Sequence, residues 1–450
     1  MQAALESIEG TWIGWSGEIS ETTQRKTGRL GRFDYAVFSM TAQEHQSYYL
    51  EFSNEVLWPA CHLRPTYLRL LDNAYKTYTS VNRKFAQEVA AHADAEDTIW
   101  VHDYHLLLVA KHLRALGHAG AVGYFHHIPI PPLELLHTIP HHAQLLTALL
   151  HYDLIGLQTS NDLNNLRLYF EHLQSQDPSC QMQIDTPSDT ECWISYEGRR
   201  TKIGVYPISI YTQKIELLAA QSAQHAARGE WKDLPQNRPL MVGVDRLDYT
   251  KGLELKLQAF EKYLQRTHTT PPASLVQIAP LTRSEVPHYQ QLCTQVLSLV
   301  EHIRNQYGAP HYEPLHFSHD VRDIGALTGL YRMARAALVT STKDGMNLVA
   351  KEFIASQNPR DPGVLILSEF AGAANELKEA LIVNPFDVQH MAQTMAYALE
   401  MPLQERIERH GAMLKHLRNN DIHRWYEHFL QDLAVSGVSG MSARLAPTSS

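Results

Sequence analysis

The chain has 450 residues, beyond the roughly 250–300 at which one hydrophobic core stops growing, so we expect two domains. Its residues are 44% hydrophobic and 19% charged, as in ordinary α/β proteins, and no apolar run approaches the roughly 18 residues of a membrane span. The net charge of −9 argues against nucleic acid or a membrane as a partner. Any anionic substrate must therefore be bound by a local group of cations.

The start of the chain and its cysteines predict a cytoplasmic protein. The opening "MQAALESIEG" carries acidic residues where an export signal needs basic ones. The four cysteines show neither a disulfide framework nor metal-ligand spacing. The 26 histidines include "HDYH" and "HTIPHH", but neither motif has the companion carboxylates or thiolates of a known site. We therefore expect no metal and no other cofactor.

Short apolar segments alternate with helical patterns almost throughout, which predicts an α/β protein with doubly wound parallel sheets. In the first half we predict strands at 97–103, 121–127, 152–158 and 203–210, helices at 104–116 and 161–173, and a hairpin or surface excursion at 174–202. In the second half we predict strands at 240–244, 274–279, 336–341 and 363–368.

The segment "GEWKDLPQNRPL" (229–240) is the best candidate for a linker, because it is polar and contains proline and asparagine. It divides the chain into domains at 1–228 and 236–420. A helix is predicted at 421–434, with Ile422, Trp425, Tyr426 and Phe429 on one face. The small, polar residues of 437–450 predict a disordered tail.

The stretch "VDRLDYTKGLELKLQAF" (244–260) predicts an anion site. A buried strand precedes it, and an apolar stripe through Leu253, Leu257 and Phe260 predicts a helix after it. Arg246 and Lys251 therefore lie in a strand-to-helix loop, where backbone N–H groups and the helix dipole already favour an anion. The alternative is a pair of surface salt bridges. A phosphate site is the sharper hypothesis.

Other polar residues follow predicted strands, where open α/β sheets bind their ligands. Asp103 and His127 end two strands of the first half, and Asp344 follows a strand of the second. Taken singly, such an Asp is more often a helix N-cap and such a His more often a satisfied core residue. Their convergence indicates a sugar-nucleotide enzyme with its site between the domains.

The segment "TKDGMNLVAKEF" (342–353) adds a second candidate anion site. Gly345 allows a tight turn, and Asn347, Leu348 and Val349 open a helix whose first N–H groups can meet an anion. Glu352 lies about one turn into that helix, where it can accept hydrogen bonds from a diol such as a ribose. The sequence lacks a P-loop, a dinucleotide-binding glycine motif after a strand and a hydrolase nucleophile elbow.

Five segments resemble the trehalose-6-phosphate synthases: "EFSNEVLWPACH", "VHDYHLL", "VGVDRLDYTKGL", "DGMNLVAKEF" and "SEFAGAANEL". The resemblance runs from about Gly10 to Leu433. It implies a GT-B glycosyltransferase with two Rossmann-like domains, the first binding the acceptor and the second the donor, facing across a cleft, with helix 421–434 packing back on the first. The implied reaction transfers glucose from UDP-glucose to glucose 6-phosphate with retention and without metal, and the family often forms homo-oligomers.

The resemblance also implies roles for individual residues. The donor diphosphate is bound by Arg246 and Lys251, whose charge stabilises the leaving phosphate. The implied donor contacts are Asp344, Gly345, Asn347, Leu348, Val349, the ribose-binding Glu352, and His127. The implied acceptor contacts are Tyr49, Trp58, Asp103, Arg283 and Trp15. His127 and Asp103 are expected to bind sugar hydroxyls near the reacting atoms; the alternative is Asp103 as a covalent nucleophile.

The family begins with a strand, a Ser-Asn-Arg motif and a glycine-rich loop, all before the segment equivalent to "GTWIGWSGE" (10–18). On this resemblance Met1 falls in the helix after that loop, so we expect unpaired strand edges or a gap in the first sheet. Either the recorded start is too late, or the product is a truncation with reduced or no activity. Two other functions therefore stay open: a silent sugar-phosphate-binding relative and a glucosylglycerol-phosphate synthase.

Overall fold

The computed structural model describes residues 9–71, 73–176, 181–222, 231–235, 237–266, 272–283 and 285–445. The chain divides into two compact units, one of Met1–Pro207 with His423–Ser450 and one of Ile208–Ile422. Each unit contains a six-stranded, largely or wholly parallel sheet with helices packed on it. The predicted fold class, a two-domain α/β protein, is confirmed.

The first unit has two sheets. Strands β1 to β9 are Gly10–Ile19, Arg25–Leu30, Phe33–Met40, Ile99–His102, Val122–Phe125, Leu154–Leu157, Met182–Ser188, Glu191–Tyr196 and Arg199–Val205. The small sheet has the order β1-β3-β2, and the large one β4-β5-β6-β9-β8-β7. Strands β4, β5, β6 and β9 are parallel; the first three lie within predicted strands, whereas β9 overlaps the predicted 203–210 only at 203–205 and begins earlier, at Arg199. Of the two alternatives predicted for 174–202, the hairpin is found: β7 and β8 pair antiparallel with each other, and β8 pairs antiparallel with β9, so the hairpin extends the sheet.

The helices of the first unit cover its large sheet and begin with a long segment that contains a π-helix. In chain order the α-helices are Ala42–Glu44, Trp58–Cys61, Ala74–Ala90, Val109–Ala115, Leu133–Leu136, His142–Ala148 and Ser160–Gln176. The π-helix is His45–Leu57, and the 3₁₀ turns are Pro65–Tyr67, Tyr104–Leu106 and Leu149–His151. The predicted helix at 104–116 is thus a 3₁₀ turn followed by an α-helix.

The described residues of the second unit form a single parallel sheet. Strands β10 to β15 are Leu240–Val244, Ser274–Ile278, Leu315–Ser318, Ala336–Val339, Val364–Ser368 and Leu381–Val383, in the order β12-β11-β10-β13-β14-β15. The four predicted strands form its centre, whereas β12 and β15 were missed because they are short edge strands. The α-helices are Thr212–Ser222, Leu253–Arg266, Pro287–Tyr307, Ile324–Met333, Leu348–Ser356, Val388–Glu400 and Leu403–Asn419, with 3₁₀ turns at Tyr249–Lys251 and Gly372–Asn375.

The boundary between the units differs from the predicted linker. The helix Thr212–Ser222 belongs to the second unit, where the Thr212 hydroxyl donates to the Leu417 carbonyl at 3.1 Å. Within the predicted linker, Trp231 is buried and its indole N–H donates to the Ala326 carbonyl at 2.9 Å. An apolar ring in a polar segment therefore packs on the second unit; residues 223–230 and 236 lie outside the described residues.

The last helix, Ile422–Leu445, packs on the first unit's sheet. A Cβ at Gly123 or Gly156 would lie within 3 Å of the Phe429 ring, so these glycines in β5 and β6 let the helix approach the sheet closely. The helix continues past residue 437, where a disordered tail was predicted. A Cβ at Gly437 would lie 2.7 Å from the Ala121 side chain, so the helix passes close to Ala121 at this point; residues 446–450 lie outside the described residues.

Among the helices of the described part of the chain, none is long and apolar enough to cross a membrane.

Candidate functional site

Four loops at the carboxyl ends of neighbouring strands form one connected surface in the second unit. The loop after β10 joins the loop after β11, since the Leu247 N–H donates to the Pro280 carbonyl at 2.8 Å. It joins the loop after β13 through the Thr342 N–H, which donates to the Thr250 carbonyl at 2.8 Å. The loop after β13 joins the loop after β14, since the Asp344 N–H donates to the Phe370 carbonyl at 3.1 Å.

The loop after β10 turns tightly before the helix Leu253–Arg266. Asp248 caps its 3₁₀ turn, with one carboxylate oxygen accepting from the Thr250 N–H at 3.0 Å. Gly252 has a φ of 65°, and a Cβ there would lie 2.5 Å from the Thr340 carbonyl oxygen, so both its conformation and its surroundings require glycine. Leu247 and Thr250 are buried, whereas Arg246, which precedes the turn in the same loop, is exposed.

Lys251 does not stand as an isolated cation, because its ammonium is paired with the Asp344 carboxylate. The side chains of Lys251 and Asp344 are 14% and 15% exposed. The same carboxylate accepts from the Asn347 amide at 3.0 Å and the Ser341 hydroxyl at 3.2 Å. Since an ammonium has three N–H donors, Lys251 can keep Asp344 and still donate to a phosphate oxygen. Asp344 therefore fixes the position of the lysine.

The helix Leu348–Ser356 begins at this carboxylate. Asn347 has a φ of 87° and its side-chain oxygen accepts from the Ala350 N–H at 3.2 Å. The N–H groups of Leu348 and Val349 precede that capping bond, in the turn that has no intrahelical acceptors. The loop after β14 approaches this segment closely, since a Cβ at Gly372 would lie 2.0 Å from the Gly345 carbonyl oxygen.

Glu352 lies on this helix beside the hydroxyl of buried Tyr331. Burial raises the pKa of Glu352 to about 7, and the nearby Tyr331 hydroxyl offsets part of that rise. The carboxyl therefore changes its charge near neutral pH. Such a group can accept hydrogen bonds from a diol when it is ionised.

Arg283 lies in the loop after β11, next to the loop that carries Lys251. Its guanidinium donates to the second Asp248 carboxylate oxygen at 3.0 Å and to the Tyr289 hydroxyl at 2.8 Å. The Tyr289 hydroxyl in turn donates to the same oxygen at 3.1 Å. Arg283 has a φ of 47°, which is uncommon for a residue with a side chain and is often seen at functional sites.

In the first unit, Asp103 and His127 lie together at the ends of adjacent strands β4 and β5. Asp103 has a φ of 73°, and its carboxylate accepts from the N–H groups of Tyr104 at 3.0 Å and His127 at 3.2 Å. It is thus the cap of a 3₁₀ turn, as the alternative from the sequence supposed. Because the same carboxylate accepts from the His127 N–H, it also holds the backbone from which the His127 side chain extends.

His127 forms a pair with His102, with 3.1 Å between Nε2 of His127 and Nδ1 of His102. Burial lowers the pKa of His127 well below its usual value, and the neighbouring His102 lowers it further. Burial likewise lowers the pKa of His102 to about 3. Both rings are therefore neutral at physiological pH and can donate and accept hydrogen bonds with sugar hydroxyls.

Trp15 and Tyr49 are brought together beside a cavity of about 590 Å³ in the first unit. Their ring centroids are 5.5 Å apart, and Tyr49 stacks on His105 with centroids 5.7 Å apart. Trp58 lies elsewhere: it is buried and packs between His62 and Tyr104. Of the aromatic residues predicted for the acceptor, two face a cavity and one is a core residue beside the Asp103 turn.

The same cavity runs along strand edges, because it is lined by consecutive residues of Gly10–Trp15 and of Thr98–His102. Within the described residues, β1 and β4 are outermost in their sheets, which is where unpaired edges or a gap were expected. The N–H groups of Ile99 and Asp103 donate to the β5 side, so alternation along β4 turns the backbone groups of Trp100 toward the cavity. The cavity thus combines aromatic faces with backbone donors and acceptors.

The structure adds site residues that the sequence did not single out. These are Asp248, Tyr289, Ser341, His102 and His105. Asp248 stands inside the quoted "DRLDYTKG" motif, so its position was available but its partners were not. Tyr289 lies in a helix pattern and gives no local signal.

The histidine-rich motifs form ring contacts. Around "HTIPHH", His137 lies 4.8 Å from His142 and 4.9 Å from His172 between ring centroids. Among the described residues, no group of three or more His, Cys, Asp or Glu is placed to hold a metal ion.

Two doubly wound units with polar residues at strand ends define the class of the GT-B glycosyltransferases, and comparison with known proteins bears this out. A trehalose-phosphate synthase (UDP-forming) from Burkholderia xenovorans, solved with glucose-6-phosphate, has a TM-score of 0.90 and 37% identity, over 96% of this chain and 95% of that one. An E. coli structure bound with UDP-2-fluoro glucose has a TM-score of 0.88 and 38% identity, over 96% of this chain and 94% of that one.

The chain belongs to glycosyltransferase family 20, whose pattern it matches over residues 1–435. The trehalose-6-phosphate synthase of Enterobacter sp. (strain 638) is 39% identical over 432 residues, which are 96% of this chain and 89% of that protein. The synthase of Sinorhizobium fredii is 38% identical over 449 residues, 97% of this chain and 93% of that protein. The predicted membership and the enzyme class, a UDP-forming glycosyltransferase, are confirmed.

Proposed function

We propose that this protein transfers glucose from UDP-glucose to glucose 6-phosphate with retention, forming trehalose 6-phosphate and UDP. Its relatives are named as synthases of trehalose 6-phosphate, which supports this product. The choice of UDP-glucose and the retention of configuration go beyond those names. They rest on the residues of the second unit and on the chemistry that these residues can perform.

The observation that carries the proposal is the placement of Arg246 and Lys251 in one strand-to-helix loop, directly before a helix and beside the start of another. As the bond from glucose to the diphosphate breaks, negative charge develops on the leaving phosphate oxygen. Lys251 is held by Asp344, so it needs little reorganisation to stabilise that charge. Arg246 is exposed in the same loop. The first N–H groups of the helix Leu348–Ser356 add a partial positive charge.

Retention follows most simply from attack on one face of the sugar. The acceptor hydroxyl attacks from the side that the diphosphate leaves, and its proton passes to the leaving phosphate oxygen. Balanced in this way, the reaction needs no covalent enzyme intermediate. Asp103 is a poor candidate for a nucleophile, because its carboxylate already accepts from the N–H groups of Tyr104 and His127. We assign Asp103 and His127 to the hydrogen bonding of sugar hydroxyls.

The remaining contacts are assigned by their chemistry. Ionised Glu352 accepts from the ribose hydroxyls of the donor, and Arg283 binds the acceptor phosphate. Trp15 and Tyr49 offer aromatic faces to the acceptor sugar beside the cavity of the first unit. We propose no metal, since the cations of the loop after β10 supply the charge that a metal would otherwise supply.

The test is product analysis with purified protein. We expect UDP-glucose and glucose 6-phosphate to yield equimolar UDP and a 1,1-linked disaccharide phosphate whose NMR couplings show two α-anomeric protons. Glycerol 3-phosphate in place of glucose 6-phosphate is the control acceptor. Turnover with glycerol 3-phosphate alone would indicate a glucosylglycerol-phosphate synthase. Binding of UDP without turnover of either acceptor would indicate a silent relative.

A further inference from the structure

We propose that Asp248 is a positioning residue that holds the donor-phosphate loop and the acceptor-phosphate loop of the second unit in register. The inference rests on the function proposed above and extends it, because it assigns a role to a residue that touches neither substrate. The Asp248 carboxylate contacts both loops, one oxygen accepting from the loop that carries Lys251 and the other from Arg283.

The first oxygen serves the donor side. It accepts from the Thr250 N–H at 3.0 Å and so closes the 3₁₀ turn Tyr249–Lys251. Lys251 is the last residue of that turn, immediately before Gly252. The direction in which the ammonium of Lys251 leaves the backbone therefore depends on this capping bond.

The second oxygen serves the acceptor side. It accepts from the Arg283 guanidinium at 3.0 Å and from the Tyr289 hydroxyl at 3.1 Å. Arg283 adopts a φ of 47°, which a non-glycine residue keeps only when its surroundings hold it there. The Asp248 carboxylate and the Tyr289 hydroxyl supply two such contacts, both with a guanidinium nitrogen.

Burial makes the arrangement stringent. The Asp248 side chain is 0% exposed and that of Arg283 is 7% exposed, so water cannot readily replace a lost contact. The loops are also joined by the backbone bond from Leu247 to Pro280. A change at Asp248 should therefore displace both cations together, whereas a change at Tyr289 should affect only the arginine.

The two oxygens can be separated by substitution. Asp248→Ala removes both acceptors, while Asp248→Asn keeps an oxygen for the Thr250 N–H and turns an amide N–H₂ toward Arg283. Tyr289→Phe removes one contact of the arginine and leaves the Thr250 cap in place. Asp245→Asn is the matched control, because it removes another buried carboxylate of the same loop, one that pairs with Lys256.

The test measures KM for both substrates in the full-length protein. For Asp248→Ala we expect a rise of about tenfold or more in both KM values, as expected when hydrogen bonds to charged groups are lost. For Asp248→Asn we expect the KM for glucose 6-phosphate to rise about tenfold and the KM for UDP-glucose to rise less than about threefold. For Tyr289→Phe we expect a rise of about threefold in the KM for glucose 6-phosphate alone. Asp245→Asn should leave the KM for glucose 6-phosphate within about twofold.

A rise in only one KM for Asp248→Ala, or the same pair of KM values for the Asn and Ala variants, would overturn the proposal. If Asp248→Ala does not fold, Asp248→Asn and Tyr289→Phe test the proposal, because each should raise the KM for glucose 6-phosphate more than the KM for UDP-glucose. If the wild-type protein shows no turnover, the proposed function fails separately. Calorimetric titration with UDP and with glucose 6-phosphate then replaces the two KM values, and the inference stands only if Asp248→Asn weakens the second and spares the first.

Discussion

The loops at the strand ends of the two units use different chemistry. In the second unit they are rich in charge: Arg246, Lys251, Arg283, Asp248 and Asp344 lie within four connected loops. In the corresponding place of the first unit, Asp103 caps a turn and the neighbouring groups are neutral histidines and aromatic rings. The two units have similar sheets, so this difference comes from the loops.

The difference teaches which part of the reaction each unit can serve. Charge separation occurs where a diphosphate leaves a sugar. In the proposed function the cations there are the exposed Arg246 together with Lys251, which the Asp344 carboxylate already holds. A sugar hydroxyl needs hydrogen bonds and an apolar face but no strong field, and neutral histidines with aromatic rings provide both. Carboxylates in the charged loops act as supports: Asp344 holds Lys251, and Asp248 holds Arg283.

The comparison predicts the largest loss for the cations of the second unit. Lys251→Ala and Arg246→Ala should each lower kcat by about 10²–10³, the cost typical of losing one group that stabilises transition-state charge. Lys262→Ala, an exposed lysine on the outer helix of the same unit, is the control and should keep its activity. UDP release under saturating substrates measures the effect, with circular dichroism to show that the fold is intact. Full activity in either loop variant would refute the assignment.

The second effect concerns Glu352 and pH. Burial raises the pKa of Glu352 to about 7, so the ionised carboxylate that we propose accepts from the ribose is present at pH 8 and is lost as the pH falls toward 6. We expect the KM for UDP-glucose to rise over that interval.

Glu352→Gln is the matched variant, because it keeps the shape and cannot titrate. At pH 8 its KM for UDP-glucose should be roughly tenfold higher than that of the wild-type protein. This factor corresponds to the loss of about 1.5 kcal/mol, the contribution of a hydrogen bond to a charged group. The same KM should be independent of pH between 6 and 8. A wild-type-like pH profile in this variant would assign the titration to another group.

A smaller effect is expected in the first unit, where the binding groups are neutral. Tyr49→Ala removes a ring stacked on His105 and should raise the KM for glucose 6-phosphate about three- to tenfold, in line with the ~0.5–1.5 kcal/mol of an aromatic contact. Its kcat should change little, since no charge develops there. A loss of kcat as large as that of Lys251→Ala would erase the contrast between the units.

The smallest effect is expected from chelation. Because the proposed mechanism draws its charge from the loop cations, excess EDTA should leave the rate unchanged, as measured by UDP release with and without added Mg²⁺. A strong loss that Mg²⁺ restores would show that a metal shares the work of Arg246 and Lys251.

Local patterns were enough to predict much of the fold. The apolar runs of β4, β5, β6, β10, β11, β13 and β14 are visible in the sequence because strands at the centre of a parallel sheet are buried on both faces. The helix after Gly252 was predicted from its apolar stripe, and Leu253, Leu257 and Phe260 are all buried. Edge strands β12 and β15 were missed because they are short and partly exposed. The boundary between the units was misplaced because Trp231 gave no local sign of its partner.

For the site, the sequence by itself determined the local elements on which the proposed chemistry depends: the loop from Arg246 to Lys251, the capped helix at Asn347 and the polar ends of the first unit's strands. These follow from short-range rules of turn, strand and helix. Only the tertiary structure decided how they are held, namely Lys251 on Asp344, Arg283 on Asp248 and Tyr289, and His127 on His102. Such pairs join loops as many as 93 positions apart in the chain, and no local pattern records a contact that exists only when neighbouring strands bring their ends together.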